Sequence, residues 1–449
     1  MLRLLRKNLK QRPLPFTHVN LFSTSTPKPI SKPSNSSDPK SFTVSYLRKS
    51  CGLSLESAVS AAQKLQIEPK HSPDSVLSLF KTHGLNQTQI RNIISKRPML
   101  LLADLDGKIR PNLELLNSLG LSGTSLAQVI LKEPTALEND AKSVLECFRS
   151  HGFSEEEILT LTMKLPTLYT YDAEKKIKPK LEFLKSVGFS ELDIAKVVSS
   201  EPYILTRSLK NQIIPSIEIL RRVLGSEEVV VKVVKRCYRI LEKPLDKLLE
   251  QNIDALSSNG VPQSLISKLL VIHPAVLLLS PYQVSEGIAF VKGLGFNPNS
   301  LKFLLAVRSV AGMSKALWEQ KQETFRSCGM SKDDIDSAFK VQPMCMVVSV
   351  KKIQKMMNFY LSKVHLNPLA IRKNPNLLFY SLEKRVIPRC SVLQLLLSHD
   401  LIREDSNYFV HVIRMNEEAF KEKIISKYKD VVPDVIKAHK GMIEFEGFS

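Results

Sequence analysis

Residues 152–188 read GFSEEEILTLTMKLPTLYTYDAEKKIKPKLEFLKSVG, and three of these residues set a pattern for most of the chain. Gly152 stands 14 residues before Pro166, and Pro179 stands 13 residues after it. Both spacings recur. The phased prolines are Pro98, Pro134, Pro166 and Pro202, separated by 36, 32 and 36 residues, followed by Pro274, Pro343 and Pro375. Glycines keep the same beat at Gly84, Gly120, Gly152, Gly188, Gly225, Gly260, Gly295 and Gly329, and the second proline returns at Pro111, Pro215 and Pro388. Interlocked spacings of this kind are the signature of a repeat architecture.

Each position has a physical reason. Gly152 ends one helix, where glycine enters the left-handed conformation at little cost. Phe153, Ser154, Glu157 and Ile158 then read as a hydrophobic staple around a capping box that starts the next helix. Ser190 with Asp193 and Ser331 with Asp334 repeat the device, and Phe296-Asn297-Pro298 varies it with proline at the first helical position. The helix runs about ten residues and stops before the phased proline, which disfavours helix for the residue ahead of it. A short apolar tract follows, such as Leu168-Tyr169 or Ile204-Leu205, and then a second helix with the later proline in its first turn. Leu181, Leu184 and Val187 line one face of that helix. One such unit cannot bury its apolar face alone, so units stack. The expected fold is all-α, a curved α-solenoid of about nine units. Two proline slots lapse, at Tyr238 and Ser309.

Composition agrees with a folded chain: 449 residues, 43% apolar and 24% charged. Lysine and arginine outnumber aspartate and glutamate 64 to 44, a formal charge of +20, which directs attention to an acidic partner, nucleic acid before membrane. No apolar run is long enough for a transmembrane helix. The six cysteines form no CxxC pair, and Cys147 and Cys390 fall in apolar helical patterns as core fillers.

Residues 1–37 contain Arg3, Arg6, Lys7, Lys10, Arg12, Lys28 and Lys32 and no acidic residue. Leu2, Leu5 and Leu9 recur at helical spacing, and Ser, Thr and Pro dominate after Leu21. This is the profile of an organelle transit peptide over residues 1–40, disordered, mitochondrial ahead of chloroplast because Arg and Leu dominate the first dozen residues. Eight basic residues against one acidic lie in that stretch, so a mature chain keeps +13 of the +20. The expected organisation continues with an N-terminal helical cap (41–75), the repeats (76–400), and a C-terminal helical cap and tail (401–449).

The repeating unit resembles that of the mitochondrial transcription termination factor family, mTERF: Gly-apolar-Ser-x-x-acid, then x-Pro-x-Leu-Leu, then Lys-x-x-Pro-x-Leu-x-Phe-Leu-x-x-x-Gly. Residues 152–188 carry nearly the whole pattern, and FTVSYLRKSCGLSLESAVSAAQKL (42–65) is similar to the start of mature plant members. The resemblance covers roughly residues 42–425. It implies three-helix repeats of 32–37 residues in an organelle protein that binds double-stranded DNA or RNA along a basic concave face. The family roles it implies are transcription termination or control and, for plant members, intron splicing.

Two ladders of cations could meet phosphates. Two residues before the phased slot stand Lys96, Lys132, Lys164, Arg236 and Lys373, where complementing the helix dipole is the competing explanation. Eight to ten residues after the slot stand Lys108, Lys142, Lys176, Lys210, Lys351, Lys352, Lys384 and Arg385. A cation at a helix N-terminus opposes the dipole, so phosphate contact explains this second ladder better, with an ordinary solvated loop as the alternative. Arg207, Arg221, Arg222 and Arg239 are further candidates, arginine suiting bidentate contacts. Tyr169, Tyr171 and Tyr203 could stack on bases, although apolar flanks favour core packing. Nine units at roughly 9 Å per helix contact would follow about 20 base pairs.

No HExxH, P-loop, dinucleotide loop or serine elbow occurs, and Gly293-Leu294-Gly295 lacks a third glycine, so catalysis is not expected. Neither a cofactor, a metal nor a small-molecule substrate is expected, and the chain reads as a monomer. His83 and His151 precede repeat glycines as helix C-terminal residues. A protein-binding solenoid scaffold is the rival class. The phased prolines argue against a 35-residue helical-hairpin RNA-binding repeat.

Overall fold

The computed structural model describes residues 39–68 and 73–448, in two compact units divided between Ser72 and Pro73. The expected transit segment lies, up to residue 38, outside the described residues. In the first unit, helices Pro39–Lys49 and Leu55–Ala62 pack together and bury Leu47, Cys51, Ala58 and Ile67. The Ile67 N–H donates to Thr43 Oγ1 at 2.9 Å.

The second unit is the repeat array, and the described residues contain no strand. Nine first helices occur among them: Gln87–Lys96, Gly123–Lys132, Glu155–Lys164, Glu191–Ser200, Glu227–Arg236, Gln263–Ile272, Leu301–Ala311, Lys332–Val341 and Pro368–Lys373. Each packs beside the next. The eight phased glycines have φ between 73° and 103°, the left-handed stop that the spacing predicts. At Gly152, Ser154 and Glu157 close the expected capping box, as do Ser331 and Asp334. Ser190 caps its helix as well, accepting from the Asp193 N–H, while the Asp193 carboxylate pairs with Lys235 of the next repeat at 2.5 Å.

The phased proline opens a short 3-10 turn, for example Pro166–Thr170. The preceding Leu165 has left the helical region, at φ −132° and ψ 68°, because the proline ring disfavours helix for its neighbour. The turn's apolar residues enter the core: Leu168, Tyr169, Ile204 and Leu205 are all at most 1% exposed. At the Tyr238 lapse the 3-10 turn Tyr238–Glu242 survives, so packing maintains it without proline. At the Ser309 lapse it does not. There the first helix runs on to Ala311, and the buried Ser309 hydroxyl donates back to the Leu305 carbonyl.

One local reading needs correction. Asn297-Pro298 does not start a helix. Asn297 makes a turn, its side chain accepting from the Asn299 N–H at 2.9 Å, and Ser300 caps the helix that begins at Leu301. The second proline lies in the first turn of its α-helix, as its spacing predicts, and the structure adds a feature ahead of it. A π-helical turn precedes it at Leu105–Ile109, Ala173–Ile177, Leu209–Ile213 and Leu382–Val386, immediately ahead of the helices that carry Pro111, Pro179, Pro215 and Pro388. In the second of these, the Lys178 N–H reaches back five residues to Ala173 O. A proline inside a helix supplies no N–H and crowds the carbonyl four residues earlier; the wider turn relieves that crowding. Second helices without the proline, such as Ala141–Ser150 and Pro281–Gly293, start as ordinary α-helix.

The C-terminal residues fold back onto the second helices Val350–Ser362 and Ile387–Ser398. Phe448 N–H donates to Lys363 O at 2.9 Å, Gln394 donates to Gly447 O at 3.0 Å, and the Phe409 and Phe448 rings stack 4.5 Å apart.

Candidate nucleic-acid interface

The two cation ladders separate once their partners are known. Members of the first reach across to the next repeat. Lys96 Nζ donates to Leu131 O (2.6 Å) and Lys132 O (2.8 Å). Lys132 donates to Met163 O (2.7 Å), and Lys164 to Ser199 O (2.9 Å) and Ser200 O (3.0 Å). Arg236 donates to Val271 O at 2.5 Å. Each cation therefore caps the carbonyl end of the following repeat's first helix, where the negative end of the dipole lies. Lys373 is the exception, exposed and with no such contact.

The second ladder stands on the opening turns of the second helices. Lys108, Lys176, Lys210 and Lys384 are exposed residues of the four π turns, and Lys351 is exposed in the first turn of Val350–Ser362. None of these five forms an ion pair with a described residue. Lys176 Nζ lies 4.8 Å from the Tyr171 ring centre, and Arg385 lies 4.1 Å over Tyr380; these are the same two positions in two different repeats. Other members have internal partners. Lys142 pairs with Glu146 (3.7 Å), Lys352 donates to Phe379 O (2.8 Å), and Arg385 also donates to Ile413 O (3.2 Å) and Arg414 O (3.1 Å).

Among the remaining arginines, Arg221 pairs with Glu227, Arg222 with Glu250, and Arg239 with Glu201 at 3.8 Å. Arg207 differs: its Nε is buried and has no hydrogen-bond partner. Of the three tyrosines, Tyr169 is core, 1% exposed and bonded to Thr162 at 2.7 Å. Tyr203 is 47% exposed, and Tyr171 is half-buried beneath Lys176. Cys147 and Cys390 are buried free thiols, and burial pushes both well above the ordinary thiol range. His83 and His151 cap helix ends, bonding Leu79 O and Cys147 O through Nδ1.

A third polar row escaped the sequence reading. Asn112, Lys180 and Arg389 each follow a second proline, and each is buried yet bonded to the next repeat. Asn112 donates to Leu137 O (3.0 Å), Lys180 to Leu205 O (2.5 Å), and Arg389 to Val412 O (3.0 Å), Ile413 O (3.1 Å) and Met415 O (2.6 Å). Lys321 does the same to Met346 O at 2.5 Å. These side chains satisfy carbonyls at the ends of 3-10 turns or helices, which would otherwise be buried without donors. A polar residue one place after each second proline was the available signal. Burial, and secondarily Lys176, pull the Lys180 pKa down to about 8.

Among the described residues, no group of His, Cys, Asp and Glu could hold a metal ion, and no helix is long and apolar enough to cross a membrane. The architecture is that of an α-helical repeat protein: one set of cations is tied up between repeats and another is left exposed at the repeat period. The mTERF family model matches residues 77–144, 145–308 and 308–421, and the chain belongs to that family. Its members are organellar nucleic-acid-binding proteins that regulate gene expression, and they are generally not enzymes. A comparison with curated proteins finds no match.

Proposed function

We propose that this protein regulates transcription in mitochondria, terminating it or controlling it, by binding double-stranded DNA through the cations at the openings of its second helices. The observation that carries the reading is the contrast between the two ladders. Lys96, Lys132, Lys164 and Arg236 are bonded to neighbouring repeats, whereas Lys108, Lys176, Lys210, Lys351 and Lys384 recur at the repeat period with no carboxylate partner. Regularly spaced, unpaired cations suit a ligand whose charges are also regularly spaced. Tyr203 is exposed, and half-exposed Tyr171 adds a flat surface beneath Lys176. The arginine- and leucine-rich, acid-free start of the chain supports a mitochondrial address over a chloroplast one.

Binding of the full chain to duplex DNA, duplex RNA and single-stranded RNA, titrated with salt, tests this. Duplex DNA should bind tightest. Lys108→Glu, Lys176→Glu and Lys210→Glu should each weaken it and lower the slope of log affinity against log salt by about 1. Tighter binding to RNA would move the protein to RNA processing or splicing. Unchanged affinity in all three variants would refute the ladder.

A further inference from the structure

We propose that the cavity between the Ala173–Ile177 and Leu209–Ile213 turns is a discrete phosphate-binding pocket. It shares Lys176 with the open ladder and adds groups set between two repeats, and the inference rests on the nucleic-acid reading above. The cavity is about 320 Å³, and its wall includes Tyr171, Lys175, Lys176, Lys180, Arg207 and Ser208. Three lysines and one arginine line it, and no carboxylate lines the wall. The size lies at the lower end for small-ligand sites, suited to a phosphoryl group with part of a sugar.

Two of the cations are set into the protein. Lys180 is 7% exposed and donates one N–H to Leu205 O, leaving two further donors on its ammonium. Arg207 has a buried Nε with no partner, and an unpaired buried donor is costly unless a ligand accepts from it. Lys176 is held over Tyr171. Of the adjoining carboxylates, Asp172 pairs with Lys175 at 3.4 Å, while Lys176, Lys180 and Arg207 form no ion pair with a described residue. Glu242, which faces Arg207, is pushed up from the ordinary carboxylate range by burial and by its neighbour Glu201. An anion in the pocket would relieve the repulsion between Lys176 and Lys180 and supply the missing acceptor. A tetrahedral phosphoryl group, with several acceptor oxygens, does both.

The phosphoryl group could be an internal diester of the bound strand, a terminal monoester or free phosphate, and the experiment separates them. Thermal unfolding of the full chain is followed with inorganic phosphate against chloride at fixed ionic strength. Binding is then measured to duplexes with and without a 5′-phosphate. Phosphate should raise the unfolding temperature of the wild type, and the rise should vanish in Arg207→Gln and Lys176→Gln but persist in Lys351→Gln, although Lys351→Gln weakens duplex binding. An internal diester predicts that Arg207→Gln weakens both duplexes several-fold. A terminal monoester predicts a loss confined to the 5′-phosphorylated duplex, and a free-phosphate site predicts competition by phosphate alone. A phosphate response equal in wild type and Arg207→Gln, or no response in the wild type, overturns the pocket even if duplex binding stands. A phosphate response without duplex binding leaves the pocket and removes the wider reading.

Discussion

The ammonium of Lys180 donates to the carbonyl of Leu205 at 2.5 Å, placing a positive charge in the seam between two consecutive repeats. Burial first, and Lys176 second, hold its pKa down at about 8 against the usual 10.5. Between these values the unfolded chain binds more protons than the folded one, so this residue makes stability rise with pH across that window. Below pH 8 the cost of the buried charge is present in full. Lys180→Met should remove this rise. Denaturant unfolding of both proteins from pH 7 to 10 checks it, and parallel profiles would show that Lys180 does not titrate in the window.

The two ladders should differ in stability as well as in binding. Lys164→Ala removes donors from Ser199 O and Ser200 O of the next repeat and should cost roughly 1 kcal/mol. Lys210→Ala breaks no internal contact and should stay within about 0.5 kcal/mol. Urea unfolding of the two variants distinguishes them; equal losses would erase the division of roles.

At the helix stops, the left-handed backbone should dominate. Gly188→Ala, at φ 103° with open space around it, should cost about 1–2 kcal/mol for conformation alone. Gly152→Ala, at φ 80°, lies nearer the ordinary left-handed region, and its added methyl would come closest to the carboxylate end of the exposed Glu191 side chain, at 3.3 Å, which can move aside. Gly188→Ala should therefore be the more destabilising of the pair, a ranking that thermal unfolding can read.

Arg389 fastens the C-terminal end. Its guanidinium is 1% exposed, donates to three carbonyls of residues 412–415, pairs with Glu417 at 3.0 Å and lies 4.4 Å over Phe420. Arg389→Ala leaves those carbonyls without a donor and should cost about 3 kcal/mol or more. Hydrogen exchange should show residues 406–448 opening ahead of the other repeats. Uniform protection along the chain would contradict this fastening role.

Much of the fold was legible because its punctuation is local. A glycine entering the left-handed region, a serine capping a helix and a proline fixing its neighbour act within a few residues. Residues 152–188 display all three, so the period, the helix limits and the stacking of units could be read directly. Where the expected pattern failed, a local rival had won. Ser300 outcompeted Asn297 as a cap, and the missing proline at Ser309 let a helix continue.

The tertiary structure decided how the charges divide. Lys164 and Lys176 are both lysines at regular offsets from Pro166. One is bonded to the next repeat's helix end and the other is exposed over a tyrosine. Their difference depends on residues 35 or so positions away, brought near only when repeats stack. The π turns follow the same logic, since the second proline is visible in the sequence but the wider turn that accommodates it appears only once the helix is built. Sequence alone determined that this chain stacks helical repeats and spaces cations along them. Packing between repeats determined which cations satisfy the protein's own carbonyls and which remain for a partner, because a buried carbonyl must find a donor wherever the fold places one.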